Sequence, residues 1–223
     1  MKKTAVIVGA TGTIGSAITK ILEDNGVKVF ERWLDSKRPD AGLESSYTDL
    51  PSNIDCAIYA PGLSVTKPTV ELSENEWDSV FDVNIKGAFF LAKHSFESLK
   101  QGSNPFFLTI SSILATHPYQ NRTAYAASKG AVESFTRSLA TEWGDAGIAT
   151  HCIRLGHVSS FMKSSPPNPT FSNAVKYKIP LGNLIEAEDV AQYVLWLANG
   201  GAKYVNGQVI DFDAGYTMNR WPL

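Results

Sequence analysis

Residues 4–15 read TAVIVGATGTIG, a short apolar run followed at once by Gly9, Gly12 and Gly15. The run predicts a buried strand at Ala5–Val8, and the apolar spacing after it predicts a helix over Ile14–Asn25. Glycines between a strand and a helix permit positive φ and let the backbone approach a pyrophosphate, which the helix N-terminus attracts. The candidate phosphate contacts are Gly9, Thr11, Gly12, Thr13, Ile14 and Gly15. The spacing is Gly-x-x-Gly-x-x-Gly rather than the commoner Gly-x-Gly-x-x-Gly, so a tight structural turn is the alternative.

The rest of the chain alternates short apolar runs with helical stretches. This alternation predicts a single doubly wound α/β domain over residues 1–223, with a parallel sheet of about seven strands and helices on both faces. Further strands are predicted at Val27–Phe30, Ala57–Tyr59, Phe106–Ile110, Ile148–Leu155 and Gln208–Phe212, and further helices at Glu74–Leu99, Ala124–Trp143 and Ala187–Asn199. The segment between the second strand and Asp55 is short, so we expect only a short strand there, near Ser45–Thr48.

The composition is that of an ordinary globular protein. Of 223 residues, 43% are hydrophobic and 19% are charged, and the formal net charge is −2. This balance argues against disorder, and without a block of like charge it gives no support for nucleic-acid binding. Cys56 and Cys152 lie in apolar stretches without a Cys-x-x-Cys spacing, which predicts buried thiols in a reducing compartment.

The amino-terminal MKKTAVIV begins like a secretory signal, but glycines interrupt its apolar run at once. No segment approaches the ~18 apolar residues of a membrane span, so we expect a cytoplasmic protein without a membrane partner. The four histidines show no metal-ligand spacing, so no metal site is predicted.

A second set of residues points to acid–base chemistry. Ser112 follows a predicted strand, and Tyr125 and Lys129 are four residues apart on the next helix, so they share one face. Tyrosine, with a pKa of about 10, is a poor base at neutral pH, and a lysine one turn away should lower that pKa. Tyr125 and Ser112 would then stabilise a developing alkoxide while a bound cofactor supplies hydride. Taken alone, Tyr125 and Lys129 also fit a solvated helix face, and Ser112 also fits a cap after a strand. The occurrence of all three in this order after a glycine loop favours a catalytic role.

With the glycine loop, this set resembles the short-chain dehydrogenase/reductase family, in particular its ketoacyl-reductase-like members. Further similar segments are Asp82–Gly87, Leu155–Ser160, Ile179–Gly182, Glu188–Ala191 and Asn206–Gly215. The resemblance covers nearly the whole chain. It implies a single Rossmann-like domain, a homo-oligomer (dimer or tetramer), and hydride transfer between NAD(P) and a carbonyl or secondary alcohol.

The resemblance also implies roles for individual residues. The catalytic set would be Asn84, Ser112, Tyr125 and Lys129, with Asn84 kinking the long helix and holding a water for proton transfer. Cofactor contacts would include Asp49, Leu50, Ala60, Gly62, Tyr125, Lys129, Gly156, Val158 and Ser160. The family's Asn-Asn-Ala-Gly is replaced by Tyr59-Ala60-Pro61-Gly62, and its proline before Gly156 is replaced by Leu155.

The choice of cofactor depends on the charges after the second strand. Asp35 as a ribose ligand would favour NAD(H). The basic side chains there favour NADP(H) through its 2′-phosphate, and we therefore expect NADP(H) first and NAD(H) as the alternative; these side chains are Arg32, Lys37 and Arg38.

Two loops are expected to line the substrate pocket, one at 113–123 and one within a mobile lid at about 157–180. The predicted substrate contacts are Ser112, Tyr119, Tyr125, Phe161 and Met162, and their polar and aromatic mixture suggests a polar small molecule. Two other functions fit the fold. A non-catalytic dinucleotide sensor would typically lack the tyrosine or the lysine, and a nucleotide-sugar epimerase or dehydratase would usually carry a larger carboxyl-terminal domain.

Overall fold

Six parallel strands form the sheet in a computed structural model, which describes residues 2–32, 42–160 and 175–218. The strands are β1 (Thr4–Val8), β2 (Lys28–Arg32), β3 (Cys56–Tyr59), β4 (Phe106–Ser112), β5 (Ala149–Leu155) and β6 (Gln208–Phe212). Their order in the sheet is β2-β1-β3-β4-β5-β6. The chain leaves β1 towards β2 and returns to β3 on the other side, so the strand order reverses between β1 and β3. Ligands of doubly wound sheets bind at such a point, beyond the carboxyl ends of the strands.

Helices cover both faces of this sheet. They are α1 (Thr13–Asp24), α2 (Glu74–Phe81), α3 (Gly87–Leu99), α4 (Thr123–Trp143) and α5 (Ala187–Ala198). Because strand side chains alternate between faces, Ile7 and Ile58 join the core beneath α1 and α5, whereas Val6 and Phe107 join the core beneath α3 and α4. The fold is thus the predicted Rossmann-like α/β domain. Within the described ranges, no helix has both the length and the apolar character needed to cross a bilayer.

The predicted strand near Ser45–Thr48 is wrong, and the described sheet has six strands rather than about seven. The segment instead forms a 3-10 turn at Glu44–Tyr47. Tyr47 is only 1% exposed, and its ring centre lies 6.0 Å from that of Phe90 on α3. Burial of this ring holds the segment against the helical layer instead of along the sheet edge beside β2.

The long helix predicted over Glu74–Leu99 is divided. A π-helical turn at Asp82–Lys86 joins α2 to α3, and it carries the buried Asn84. Such turns insert an extra residue into a helix and often occur at functional sites. The ends of the other predicted helices and strands agree with the structure to within two residues.

Candidate active site

A cleft of ≈510 Å³ opens beyond the carboxyl ends of β3, β4 and β5, beside the start of α1. This volume lies within the range of small-molecule sites. The cleft brings together many of the residues predicted from the sequence: Ile14, Ala60, Gly62, Ser112, Tyr119, Tyr125, Lys129, Gly156 and Val158.

The glycine loop connects β1 to α1 at one end of the cleft. Gly9 has φ +80°, and its carbonyl oxygen accepts a hydrogen bond from the Gly12 N–H at 3.0 Å. A Cβ on Gly15 would lie 2.1 Å from that same oxygen, so the loop requires glycine at this position. Thr11 is exposed in the loop, and α1 begins at Thr13 with no side chain capping its first N–H groups. The loop therefore fits an anionic group such as a dinucleotide pyrophosphate.

Ser112, Tyr125 and Lys129 meet in the cleft from two elements. Ser112 ends β4, and its Oγ accepts a hydrogen bond from the Leu114 N–H at 3.2 Å. Tyr125 and Lys129 lie one turn apart on α4, with the lysine Nζ 5.7 Å from the tyrosine ring centre. Lys129 is 2% exposed, and its Nζ donates to the Ile110 carbonyl at 2.7 Å. The lysine is therefore held by the backbone of β4 directly behind the tyrosine.

Burial dominates the electrostatics of this set. It raises the pKa of Tyr125, while a hydrogen bond with Ser112 and the positive charge of Arg122 act to lower that pKa. Burial lowers the pKa of Lys129 to about 8. The lowered tyrosine pKa that we expected from Lys129 is not found, because desolvation outweighs the neighbouring groups. The two influences that oppose desolvation are the hydrogen bond with Ser112 and the charge of Arg122, and neither comes from Lys129.

Asn84 lies behind the cleft and does not line it. Its amide oxygen accepts from the Leu63 N–H at 2.7 Å, and its amide nitrogen donates to the Leu63 carbonyl at 2.9 Å and to the Ser128 hydroxyl at 2.8 Å. The π-helical turn thus ties the loop after β3 to α4, next to Tyr125 and Lys129.

Arg32 and Asp49 form a separate pair outside the cleft. Arg32 ends β2, and its carbonyl oxygen accepts from the Gly9 N–H at 3.0 Å, which places it beside the glycine loop. Its Nη2 lies 3.6 Å from the Asp49 carboxylate, whose side chain is fully exposed. Leu50 is half-buried next to it. The basic residues Lys37 and Arg38, with Asp35, lie outside the described residues.

The segment after β5 forms one wall of the cleft. Gly156 packs so tightly that a Cβ would lie 2.7 Å from the Asp213 Cα, and Val158 pairs with Ile185 in an isolated bridge. The Ser160 Oγ is buried and has no hydrogen-bond partner among the described residues. Phe161, Met162 and most of the predicted lid lie outside the described residues.

Two residues that sequence reasoning did not group with Tyr119 lie against its hydroxyl. Its hydroxyl lies 2.9 Å from the His157 Nε2 and 2.7 Å from the Tyr216 hydroxyl. Burial lowers the pKa of His157, which favours the neutral imidazole. Tyr119 was predicted as a substrate contact, but no local pattern could have indicated Tyr216, which follows β6.

A partly buried polar network behind the cleft was also missed. The Arg154 guanidinium contacts both carboxylate oxygens of Glu133 at 2.7 Å and the Asp211 carboxylate at 2.7 Å. The Ser111 hydroxyl donates to Glu133 at 2.9 Å. These contacts join α4 to β4, β5 and β6 immediately beside Ser112 and Lys129. Elsewhere in the described ranges, no group of three His, Cys, Asp or Glu side chains is arranged to hold a metal ion.

Known proteins are similar to this chain in sequence and in fold. Residues 41–217 match the family model described as enoyl-(acyl carrier protein) reductase. A tropinone reductase homologue from Arabidopsis thaliana is 29% identical, over 97% of this chain and 93% of its own length. A 3-oxoacyl-(acyl-carrier-protein) reductase from Rickettsia prowazekii is 28% identical, over 97% of each chain. A crystal structure with bound NADP, described as a 2-deoxy-D-gluconate 3-dehydrogenase from Agrobacterium tumefaciens, has a TM-score of 0.84 and 25% identity over 97% of each chain.

The fold, the glycine loop and the serine–tyrosine–lysine cleft define an NAD(P)-dependent oxidoreductase that interconverts carbonyls and alcohols. This class is favoured over a dinucleotide sensor and over an epimerase or dehydratase, because the relatives are reductases and dehydrogenases. Within that class, the chain belongs to the short-chain dehydrogenase/reductase family, among its ketoacyl-reductase-like members.

Proposed function

We propose that this protein reduces a small carbonyl compound to a secondary alcohol, or catalyses the reverse reaction, with Tyr125 as the acid or base. The observation that carries the proposal is the convergence of Ser112, Tyr125 and Lys129 in one cleft beside the glycine loop. Bound there, a reduced nicotinamide would supply the hydride.

The protein's own groups handle the proton and the developing charge. In the reducing direction, the carbonyl carbon gains hydride while its oxygen gains the Tyr125 proton, which yields the alcohol and the oxidised dinucleotide. Ser112 donates a hydrogen bond to the same oxygen and stabilises its partial negative charge. The Lys129 ammonium stabilises the phenolate that remains on Tyr125. Asn84 is a positioning residue, since its amide joins the π-helical turn to the loop after β3 and to α4.

We propose NADP(H) as the preferred dinucleotide, with NAD(H) as the alternative. Arg32 ends the strand next to the glycine loop and carries the positive charge that a 2′-phosphate requires. Bound NADP in the 2-deoxy-D-gluconate 3-dehydrogenase structure supports the same preference. The pyrophosphate would contact the loop at Gly9–Gly15, and Asp49 and Leu50 would lie towards the adenine. Ala60, Gly62, Gly156, Val158 and Ser160 would line the remainder of the dinucleotide.

We also propose a cytoplasmic homo-oligomer whose substrate is covered by a lid at about 157–180. Exposed aromatic side chains on the helices support an oligomer, among them Phe89 on α3 and Trp196 on α5. Phe161 and Met162, in the proposed lid, would contact the substrate together with Tyr119.

Ligand-induced thermal stabilisation and turnover test this function together. We expect NADP and NADPH to raise the melting temperature of the wild type and of Tyr125→Phe more than NAD and NADH do, because a ligand that binds only the folded state stabilises it. In a panel of neutral aldehydes and ketones, Tyr125→Phe should lose at least about 100-fold in turnover, the usual contribution of a general acid. Tyr193→Phe, which removes a hydroxyl from α5 outside the cleft, is the matched control. Absence of any dinucleotide-induced shift would refute the proposal.

A further inference from the structure

The charges that line the cleft are unbalanced. Its described lining residues include two cations, Arg122 and Lys129, and no aspartate or glutamate. Lys129 is almost fully buried and bonded to the Ile110 carbonyl. Arg122 is half-buried at the cleft, so it is the cation that a substrate can reach.

Arg122 has no carboxylate partner among the described residues. The one hydrogen bond that its guanidinium makes to those residues runs from Nη1 to the Ser64 hydroxyl at 2.6 Å, from the start of α4 to the loop after β3. Arg154 contrasts with it, because two carboxylates, those of Glu133 and Asp211, occupy its guanidinium. Arg32 likewise contacts Asp49. The guanidinium in the cleft therefore retains N–H donors that no described group uses.

The position of this guanidinium is set by α4. Arg122 is the N-cap residue of the helix, and its carbonyl oxygen accepts from the Ala126 N–H at 2.8 Å. Tyr125 follows three residues later, so the two side chains lie within one turn of each other. Burial raises the pKa of Tyr125, and the charge of Arg122 acts against that rise, which places the guanidinium within electrostatic range of the phenol.

We propose that Arg122 is a specificity-determining residue that binds a carboxylate on the substrate, so that the protein acts on oxo acids and their hydroxy-acid products. The inference rests on the proposed function and names the class of its substrate. A guanidinium presents paired N–H donors that match the two oxygens of a carboxylate, and the Ser64 hydroxyl adds a further donor beside it. A carboxylate anchored there holds the neighbouring carbonyl towards Ser112 and Tyr125.

Matched acids and esters isolate this contact. The probes are pyruvate, acetoacetate and levulinate, each compared with its methyl ester, because together they vary the distance between the carbonyl and the carboxylate. The quantity measured is the ratio of kcat/KM for each acid to that for its ester. Loss of the Arg122 charge also alters the pKa of Tyr125, but this affects acid and ester alike and cancels in the ratio.

We expect the wild type to prefer at least one acid over its ester, and Arg122→Gln to reduce that ratio by about ten- to a hundredfold, the value of a charge-assisted hydrogen bond. Arg122→Lys should retain part of the preference. Arg137→Gln removes the same charge from an exposed position on the same helix outside the cleft, and should leave the ratio unchanged.

Three results would overturn the inference. Equal turnover of acids and esters by the wild type, or an acid preference that Arg122→Gln keeps, would exclude a carboxylate contact while the proposed function stands. Turnover of no acid would exclude oxo acids as substrates, and the panel of neutral aldehydes and ketones then decides separately whether the oxidoreductase activity exists.

Discussion

At the residue scale, the role proposed for Lys129 opposes the stability of the fold. Its ammonium is enclosed by the protein, and burial lowers its pKa from 10.5 to about 8. At neutral pH the folded protein therefore holds a charge that water would solvate better. The proposed reaction needs this charge beside Tyr125, so substitutions at Lys129 should separate stability from activity.

Lys129→Met tests this separation. We expect its free energy of unfolding at pH 7 to equal or exceed that of the wild type, while carbonyl reduction falls at least about 100-fold. Because the folded pKa is depressed, the unfolded chain holds one more proton between about pH 8 and pH 10.5, so the wild type gains stability over this range as pH rises. The variant lacks this gain, so the free energy of unfolding of the wild type should rise relative to that of Lys129→Met as the pH rises. Denaturant unfolding of both proteins at pH 7 and pH 10 measures this change. A difference in unfolding free energy that is the same at both pH values would contradict the burial argument.

Asp55 connects three elements at the opposite end of the sheet from the cleft. One carboxylate oxygen accepts from the Thr4 N–H at 2.8 Å, at the start of β1. The other accepts from the Ser103 N–H at 2.9 Å and from its hydroxyl at 3.0 Å, in the turn before β4. Asp55 itself directly precedes β3 and is 6% exposed. A single side chain thus aligns the starts of three neighbouring strands.

Asp55→Ala should lower the free energy of unfolding by roughly 3 kcal/mol, because it leaves buried donors without an acceptor. Asp24→Ala is the matched control, since its exposed ion pair with Lys20 on α1 is worth only about 0.5 kcal/mol. Denaturant titration of both variants gives the comparison. Equal losses for the two would show that the connection between the strands contributes little.

At the scale of the whole molecule, the proposed oligomer can be tested at the exposed aromatic side chains. Phe89 is 46% exposed on α3, within the helical layer that covers one face of the sheet, and α1 lies on the other face. We expect sedimentation velocity to give a dimer or tetramer, and Phe89→Asp to shift it towards smaller species. Lys20→Glu on α1 is the control and should sediment like the wild type. A monomer at every concentration would contradict the proposed oligomer.

Most secondary structure and much of the candidate site could be predicted from the sequence, because their signals are local. The three glycines of the loop lie within seven residues of sequence, and the spacing of Tyr125 and Lys129 places them on one face of a helix. The strand predicted near Ser45–Thr48 is wrong for a physical reason. Tyr47 is buried against α3 by a tertiary contact, which no periodicity reveals, and so a 3-10 turn replaces the predicted strand.

Tertiary structure alone decided the contacts between distant parts of the chain. Arg122 meets Ser64 from 58 residues away, and Tyr119 meets Tyr216 from 97 residues away. Tertiary structure also decided the direction of the pKa shift of Tyr125, because the cost of removing a phenolate from water depends on the whole surrounding fold. Spacing along the chain specifies which groups are available for chemistry, but burial and partners, which set their charge and reach, arise only when the strands and helices pack.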